Sequence, residues 1–357
     1  MPVETRNYNR FVPVLIALCL LAAWAQQPAN EKPKFKAIWE PVNYKEDITL
    51  NDVFFVSKEE GWVTGAAGTI LHTKDGGNNW TAELGGDAHA EGRDLIRAFF
   101  TNPTHGWAQS WNALYRTTDG ESWQQMTGDI RGKAFFVSDT KGFLVYGTGL
   151  SATTDGGKTW KQVLACRAKL EVQGLTKEEE CTFETIYFPS ATVGYATGHR
   201  RILWKTEDGG DTWRFLTAPE EPGNPRVYHI WFLDPNIGFE NGSGLFRTID
   251  GGQSWQNVIA TFSEGYPIVK FADREVGWSC LGNTWAYTFD GGKRWTTRSV
   301  RFPAAVTAFC LPTRDRGYVV GNHGMIYRYR VVPFEYVSKG MIDAVMVPAA
   351  ALPGSGK

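Results

Sequence analysis

The chain has almost no excess charge of either sign. Its 37 Lys and Arg stand against 38 Asp and Glu, for a formal net charge of −1. That balance argues against a general affinity for nucleic acid or an anionic membrane, while leaving room for a local basic sector. Long apolar runs are also missing. Phe11–Ala23 falls short of the ~20 residues a spanning helix needs, and no later segment is expected to cross a bilayer. The six histidines are scattered without metal-ligand spacing, and neither a nucleotide loop nor a nucleophile elbow is present. No metal or other cofactor is therefore expected.

Cysteine is sparse, with five in 357 residues. Cys19 lies in a stretch that reads as a secretory leader: a basic start at Arg6 and Arg10, the apolar run, then Ala23-Trp24-Ala25 as a cleavage site before Gln26. A retained anchor is the alternative. No small residue precedes Cys19, which argues against lipidation there. Export to the periplasm or the extracellular space is expected, where disulfides persist. Cys166 and Cys181 flank one polar insertion and are natural partners. Cys280 and Cys310 lie in apolar runs, and their state stays open.

What is abundant is glycine, 39 residues, and aromatics, 14% of the chain with 15 Trp. The mix suits short strands joined by tight turns. It is organised as repeats. T-x-D-G followed closely by Trp occurs six times, at Thr73–Trp80, Thr117–Trp123, Thr153–Trp160, Thr206–Trp213, Thr248–Trp255 and Thr288–Trp295. A second pattern, an apolar residue six positions before a Gly-aromatic pair, occurs seven times, from Phe55/Gly61-Trp62 to Leu311/Gly317-Tyr318. A unit of roughly 40 residues with four strands is the size of a propeller blade, and such a sheet buries its faces only against its neighbours.

An all-β, seven-bladed β-propeller over residues 37–332 is therefore predicted, after a leader at 1–25 and a linker at 26–36. The seventh unit lacks the Asp motif and its Trp. Trp39-Glu40-Pro41-Val42 matches the missing fourth strand, so the N-terminal strand is expected to complete the last blade, with Trp39 packed like the six motif tryptophans. The Met341–Lys357 tail, rich in Ala, Pro and Gly, is expected to lack fixed structure.

The T-x-D-G-G-x-x-W copies resemble the Asp-box, or BNR, repeats of sialidases, sortilin-like receptors and xyloglucanases. Together with the seven F-x5-G-aromatic units and the leader, residues 37–332 most resemble the photosystem II stability/assembly factor family. That resemblance implies a scaffold that helps to assemble a membrane protein complex. The repeated aspartates, from Asp75 to Asp290, read as turn-formers rather than catalysts, because a catalytic site occurs once and not six times round a ring. The Arg-Ile-Pro start of sialidases is absent, and the remaining acids cluster in inserts such as Glu178-Glu179-Glu180. The expected function is a non-enzymatic, monomeric scaffold for a protein partner such as a membrane protein or its polar segment. A glycan-binding or glycoside-hydrolase propeller is the alternative.

Strand alternation puts the Asp motifs on one face of the ring and the irregular loops on the other, here termed upper. The repeat alignment places Asp52, Arg97, Lys133, Thr185, His229, Ile268 and Ala308 in one column at the start of the innermost strand. Arg97, Lys133 and His229, with Arg200, Arg201 and Arg226 from nearby loops, make a candidate basic sector bordered by Trp111 and Tyr146. The competing reading is a solvated face, with arginines paired to insert acids such as Glu178 and Glu220.

Overall fold

The computed structural model describes residues 35–42, 44–86, 92–128, 130–172, 175–199, 202–216, 227–242, 244–259 and 267–344. They form eight antiparallel sheets, seven of them blades in a ring and the eighth a two-stranded hairpin, and in the first six blades each strand pairs with the next in sequence. The first blade is representative: strand A at Leu50–Phe55, B at Gly61–Gly65, C at Ile70–Thr73 and D at Thr81–Leu84. Among the described residues no helix is long and apolar enough to cross a membrane.

The spacing of the second repeat has a direct physical cause. In strand A, Phe55 pairs with Gly61 of strand B, and its ring lies flat over the glycine. A methyl group at Gly61 would come within 2.5 Å of that ring, as would one at Gly238 of the Phe232 ring. In six of the seven blades the aromatic residue after the glycine then stacks on the equivalent phenylalanine of the following blade, Leu311 replacing that phenylalanine in the last. Trp62 meets Phe100 at 3.7 Å between centroids, Trp107 meets Phe136 at 3.9 Å, and Tyr195 meets Phe232 at 3.8 Å. Tyr318 of the last blade meets Phe55 of the first at 4.0 Å, which closes the ring. Each such pair contributes about 0.5–1.5 kcal/mol beyond its buried area.

The first repeat builds the lower turns. Thr73 Oγ1 accepts from Gly77 N–H at 2.9 Å and donates to Asp75 Oδ1 at 2.9 Å, which in turn accepts from Asn78 and Asn79 N–H. Asp119, Asp155, Asp208, Asp250 and Asp290 make the same kind of contacts. The N–H groups of Ser122 and Glu121 hold the Asp119 carboxyl well below the usual carboxylate range. Gly77, at φ 72°, supplies the left-handed step of its turn.

The last blade runs Val306–Thr313, Arg316–Gly321 and Ile326–Pro333, and then takes the N-terminal strand Phe35–Val42, antiparallel, from Phe35 opposite Pro333 to Val42 opposite Ile326. This strand begins two residues before the expected boundary. Trp39 occupies the register of the motif tryptophans but packs differently. No Asp turn precedes it, so its strand continues past the ring. The indole is fully buried against Trp278, Trp285, Phe302 and Tyr329. Trp160, Trp213, Trp255 and Trp295 are half-buried and donate Nε1–H to a carbonyl of their own turn.

The tail also departs from expectation. Ile342–Asp343 pairs with Trp39 and Ile38 as a fifth strand, and Ala344 N–H donates to Ala37 O at 2.9 Å. The backbone edge that the N-terminal strand would otherwise expose gives these residues a partner. Residues 1–34 and 345–357, which include the expected leader, lie outside the described residues.

Candidate functional site

Side chains of blades one, two and five latch the start of strand A in the blade that follows, and so fix parts of the upper face. Asp52 accepts from its neighbour Val53 N–H and from Ala98 N–H of the second blade, both at 3.0 Å. Gln109 donates to Gly132 O at 2.6 Å and accepts from Ala134 N–H at 3.1 Å, which sets Lys133. Gly132 has φ 106°, and a side chain there would collide with Val145 O. Asn241 accepts from Tyr228 and His229 N–H and donates to Pro267 O.

Arg97 and Lys133 are half-buried in the wall of the central channel, not spread on the outer face. The Arg97 guanidinium lies 5.7 Å from the Phe99 ring centre, and the Lys133 ammonium 5.9 Å from that of Tyr228. Burial, and for Lys133 also the charge of Arg97, pulls both below their ordinary values. His229 keeps a water-facing side although protein surrounds it. Burial, then the charges of Lys133, Lys270 and Arg97, pushes its imidazole down to about 3. Asp52 is raised, because burial outweighs the pull of Lys270, the Ala98 N–H and Arg97. Thr185 and Ala308 of the same column are buried, and Ile268 is half-buried.

Trp111 and Tyr146 are exposed, 73% and 57%. Trp111 rides on a tight loop in which Ser110 Oγ accepts from Ala113 N–H at 3.0 Å, and the adjacent Asn112 accepts from Arg93 at 3.0 Å. Beside Tyr146 stands an inserted hairpin, Arg167–Val172 with Leu175–Glu180. A Cys166–Cys181 disulfide closes its base. Cys166 N–H donates to Thr148 O and Phe183 N–H to Gly147 O, so the hairpin base is fastened to the Tyr146 loop. Cys280 and Cys310 are free thiols. Arg200, Arg201 and Arg226 lie outside the described residues, as does Glu220. Glu178 stands opposite Lys169 in the hairpin register, and Arg167 pairs with Glu180 at 3.4 Å.

Sequence reasoning missed the second ring of channel residues, two positions further along each strand A. These are aromatics in the first five blades, Phe54, Phe135, Tyr187 and Trp231 half-buried and Phe99 buried, then Lys270 in the sixth blade and Cys310 in the seventh. Tyr187 lies 5.6 Å from Phe135 and 5.2 Å from Trp231, and the Lys270 ammonium sits 5.0 Å from the Trp231 ring centre. The period-2 rule carried the signal, because residues two apart share a face of the strand. Glu184 was also passed over. It pairs with His199 at 3.2 Å on the same rim.

Comparison with known proteins bears on this arrangement. The family model for photosynthesis system II assembly factor YCF48 matches residues 32–131 and 117–262. A Synechococcus protein named photosystem II assembly lipoprotein Ycf48 is 25% identical over 279 residues, 76% of this chain and 68% of its own. A solved structure titled "YCF48 bound to D1 peptide" matches 85% of this chain and 99% of its own, at 17% identity and a TM-score of 0.62. A family 74 xyloglucanase from Xanthomonas campestris matches 82% of this chain but 53% of its own, at 14% identity and a TM-score of 0.58. At these identities the two structures speak for the propeller fold alone.

Proposed function

The chain belongs to the photosynthesis system II assembly factor YCF48 family, and from that premise we propose that it is an exported, non-enzymatic scaffold that holds a protein segment during assembly of a membrane complex. The relative named as an assembly lipoprotein supports export, and the solved relative described with a D1 peptide supports a polypeptide ligand. The observation that carries the reading is the pairing of two exposed aromatics, Trp111 and Tyr146, with a rigidly latched rim on one face. Aromatics and arginines concentrate binding energy where they stand on a fixed scaffold. Arg200, Arg201 and Arg226 would extend the same rim from the loops of blades four and five. Arg97, Lys133 and His229 line its inner edge.

A hydrolytic role has no such support. The Asp-box carboxylates already accept from turn N–H and hydroxyl groups, which leaves them committed to structure. The test is capture from detergent-solubilised membranes of the source organism, identified by mass spectrometry. The double variant Trp111→Ala, Tyr146→Ala should lose the captured protein with an unchanged melting temperature. Undiminished capture by that variant would remove the rim from consideration. A glycoside turnover abolished by one point mutation would overturn the non-enzymatic reading.

A further inference from the structure

Strands B and C of the seventh blade, Arg316–Gly321 and Ile326–Pro333, carry like charges on one face. Arg316 stands directly opposite Arg330 in the register, and Tyr318 opposite Arg328. Residues two apart on a strand share a face, so all three arginines lie on the same side of the sheet. Directly opposed residues of an antiparallel pair have Cβ atoms about 4.5–5.5 Å apart, and like charges so placed are destabilising.

The nearby carboxylates leave this set in excess. Glu40, opposite Arg328 on the next strand, accepts from Arg328 at 3.1 Å and from Arg330 at 2.7 Å, so one acid serves two arginines. Arg328 is held further by Gly76 O at 3.1 Å and Asn78 Oδ1 at 2.6 Å. Half-buried Arg316 reaches Gly76 O at 3.5 Å and makes no ion pair among the described residues. Asp315 pairs with Lys58 at 3.7 Å, and Asp75 is committed to the hydroxyl and N–H groups of its own turn. Glu59 is exposed and likewise makes no ion pair among the described residues.

These groups line an open cleft of about 250 Å³ where the seventh blade meets the first, walled by Lys58, Glu59, Asp75, Arg316, Arg328 and Arg330. Four cations thus stand against two carboxylates. A second cleft of about 360 Å³ adjoins it, sharing Arg328 and Arg330 and adding Glu40 and Lys339. Both lie beside the Asp turn of the first blade, on the lower face, away from Trp111 and Tyr146.

We propose that the cleft between blades seven and one is a phosphate site, in which Arg316 and Arg330 hold one phosphate group from opposite strands and Arg328, locked by Gly76, Asn78 and Glu40, forms the floor. A dianion matches the charge excess of the walls. A tetrahedral group offers oxygens to two guanidinium forks at once, which a single planar carboxylate does less well. The shared anion turns the opposition of Arg316 and Arg330 into attraction and fastens the seam where the ring closes. Free phosphate and a phosphomonoester lipid headgroup present the same chemistry. The site is separate from the upper rim and does not rest on the partner reading.

The test is calorimetric titration of the full exported chain with inorganic phosphate, with chloride and acetate at matched ionic strength as controls. Flotation with phosphatidylcholine vesicles, with and without phosphatidic acid, distinguishes the two sources. One phosphate per chain is expected. Arg316→Gln should weaken binding about tenfold or more, the loss typical of a charge-assisted contact. Glu59→Gln, which removes a negative charge from the wall, should tighten it. That opposite sign separates the effect from general damage to the fold, since a weakened propeller does not gain affinity. Flotation that needs phosphatidic acid and is lost in Arg316→Gln supports the site with a lipid headgroup as ligand. Phosphate binding without flotation supports it with the free ion. Neither phosphate binding beyond the chloride control nor flotation would overturn the proposal. Equal phosphate affinities in wild type and both variants would overturn it too, as would acetate bound as tightly as phosphate.

Discussion

Glu40, in the strand that opens the described fold, accepts a hydrogen bond from the Tyr336 hydroxyl at 2.7 Å, just beyond the strand that ends the last repeat. Its other oxygen accepts from Arg330 at 2.7 Å and Arg328 at 3.1 Å. One carboxylate therefore fastens three stretches of chain: the N-terminal strand, the last strand of the seventh repeat and the segment that follows it. In a ring this seam is where closure fails most readily, because the two partners are joined only through the whole length of the chain.

The seam should be acid-sensitive in a defined window. Burial would raise the Glu40 carboxyl, but the bonds from Tyr336, Arg330 and Arg328 outweigh it and pull it down to about 2 from 4.5. A carboxyl depressed in the folded state contributes stability that is complete above its unfolded value. The contribution is lost as pH falls through the folded one. Glu40 should thus supply up to roughly 3 kcal/mol that disappears between about pH 4.5 and pH 2. Glu40→Gln should melt lower at neutral pH and show a flatter dependence of melting temperature on pH across that window. Parallel slopes for the two proteins would refute this.

Trp39 tests the same seam through packing. Its ring has no exposed surface and touches four aromatics. Trp39→Ala should cost about 3–5 kcal/mol in urea unfolding, as for large buried aromatics in general. Trp160→Ala, at a half-buried motif position, should cost less. Equal losses would mean that the depth of the N-terminal strand carries no special weight. Deleting Phe35–Val42 should abolish cooperative unfolding, because the last strand of the seventh repeat would lose its outer partner along its full length.

The ring was legible because its rules repeat. Phe232 over Gly238 and Tyr195 on Phe232 are one device written round the chain, and any copy reveals the spacing. The Asp turns were legible for the same reason. The fifth strand at Ile342–Asp343 was not, because two residues in a Pro- and Ala-rich tail carry no periodicity. Only the edge left by Phe35–Val42 calls for them. The channel was half legible. The column of Arg97, Lys133 and His229 followed from alignment, but burial did not. An arginine at a strand start reads alike whether it faces solvent or an opposing lysine across a narrow ring.

The inserted hairpin gives a prediction about redox state. Cys166 and Cys181 are joined, and both are buried. Closing a loop of 15 residues gives about 3 kcal/mol in the chain-entropy account. The measured value should be smaller, because bonds from Cys166 N–H to Thr148 O and from Phe183 N–H to Gly147 O hold the hairpin base without the disulfide. Cys166→Ser with Cys181→Ser should therefore lower the melting temperature modestly, while hydrogen exchange quickens over Arg167–Glu180 and at Tyr146–Thr148 far more than in the blades. Peptide mapping of the exported protein without reductant should recover Cys166 and Cys181 in one linked pair. Two free thiols would contradict the pairing. Uniform acceleration of exchange through all seven blades would show instead that the disulfide staples the ring and not the rim beside Tyr146.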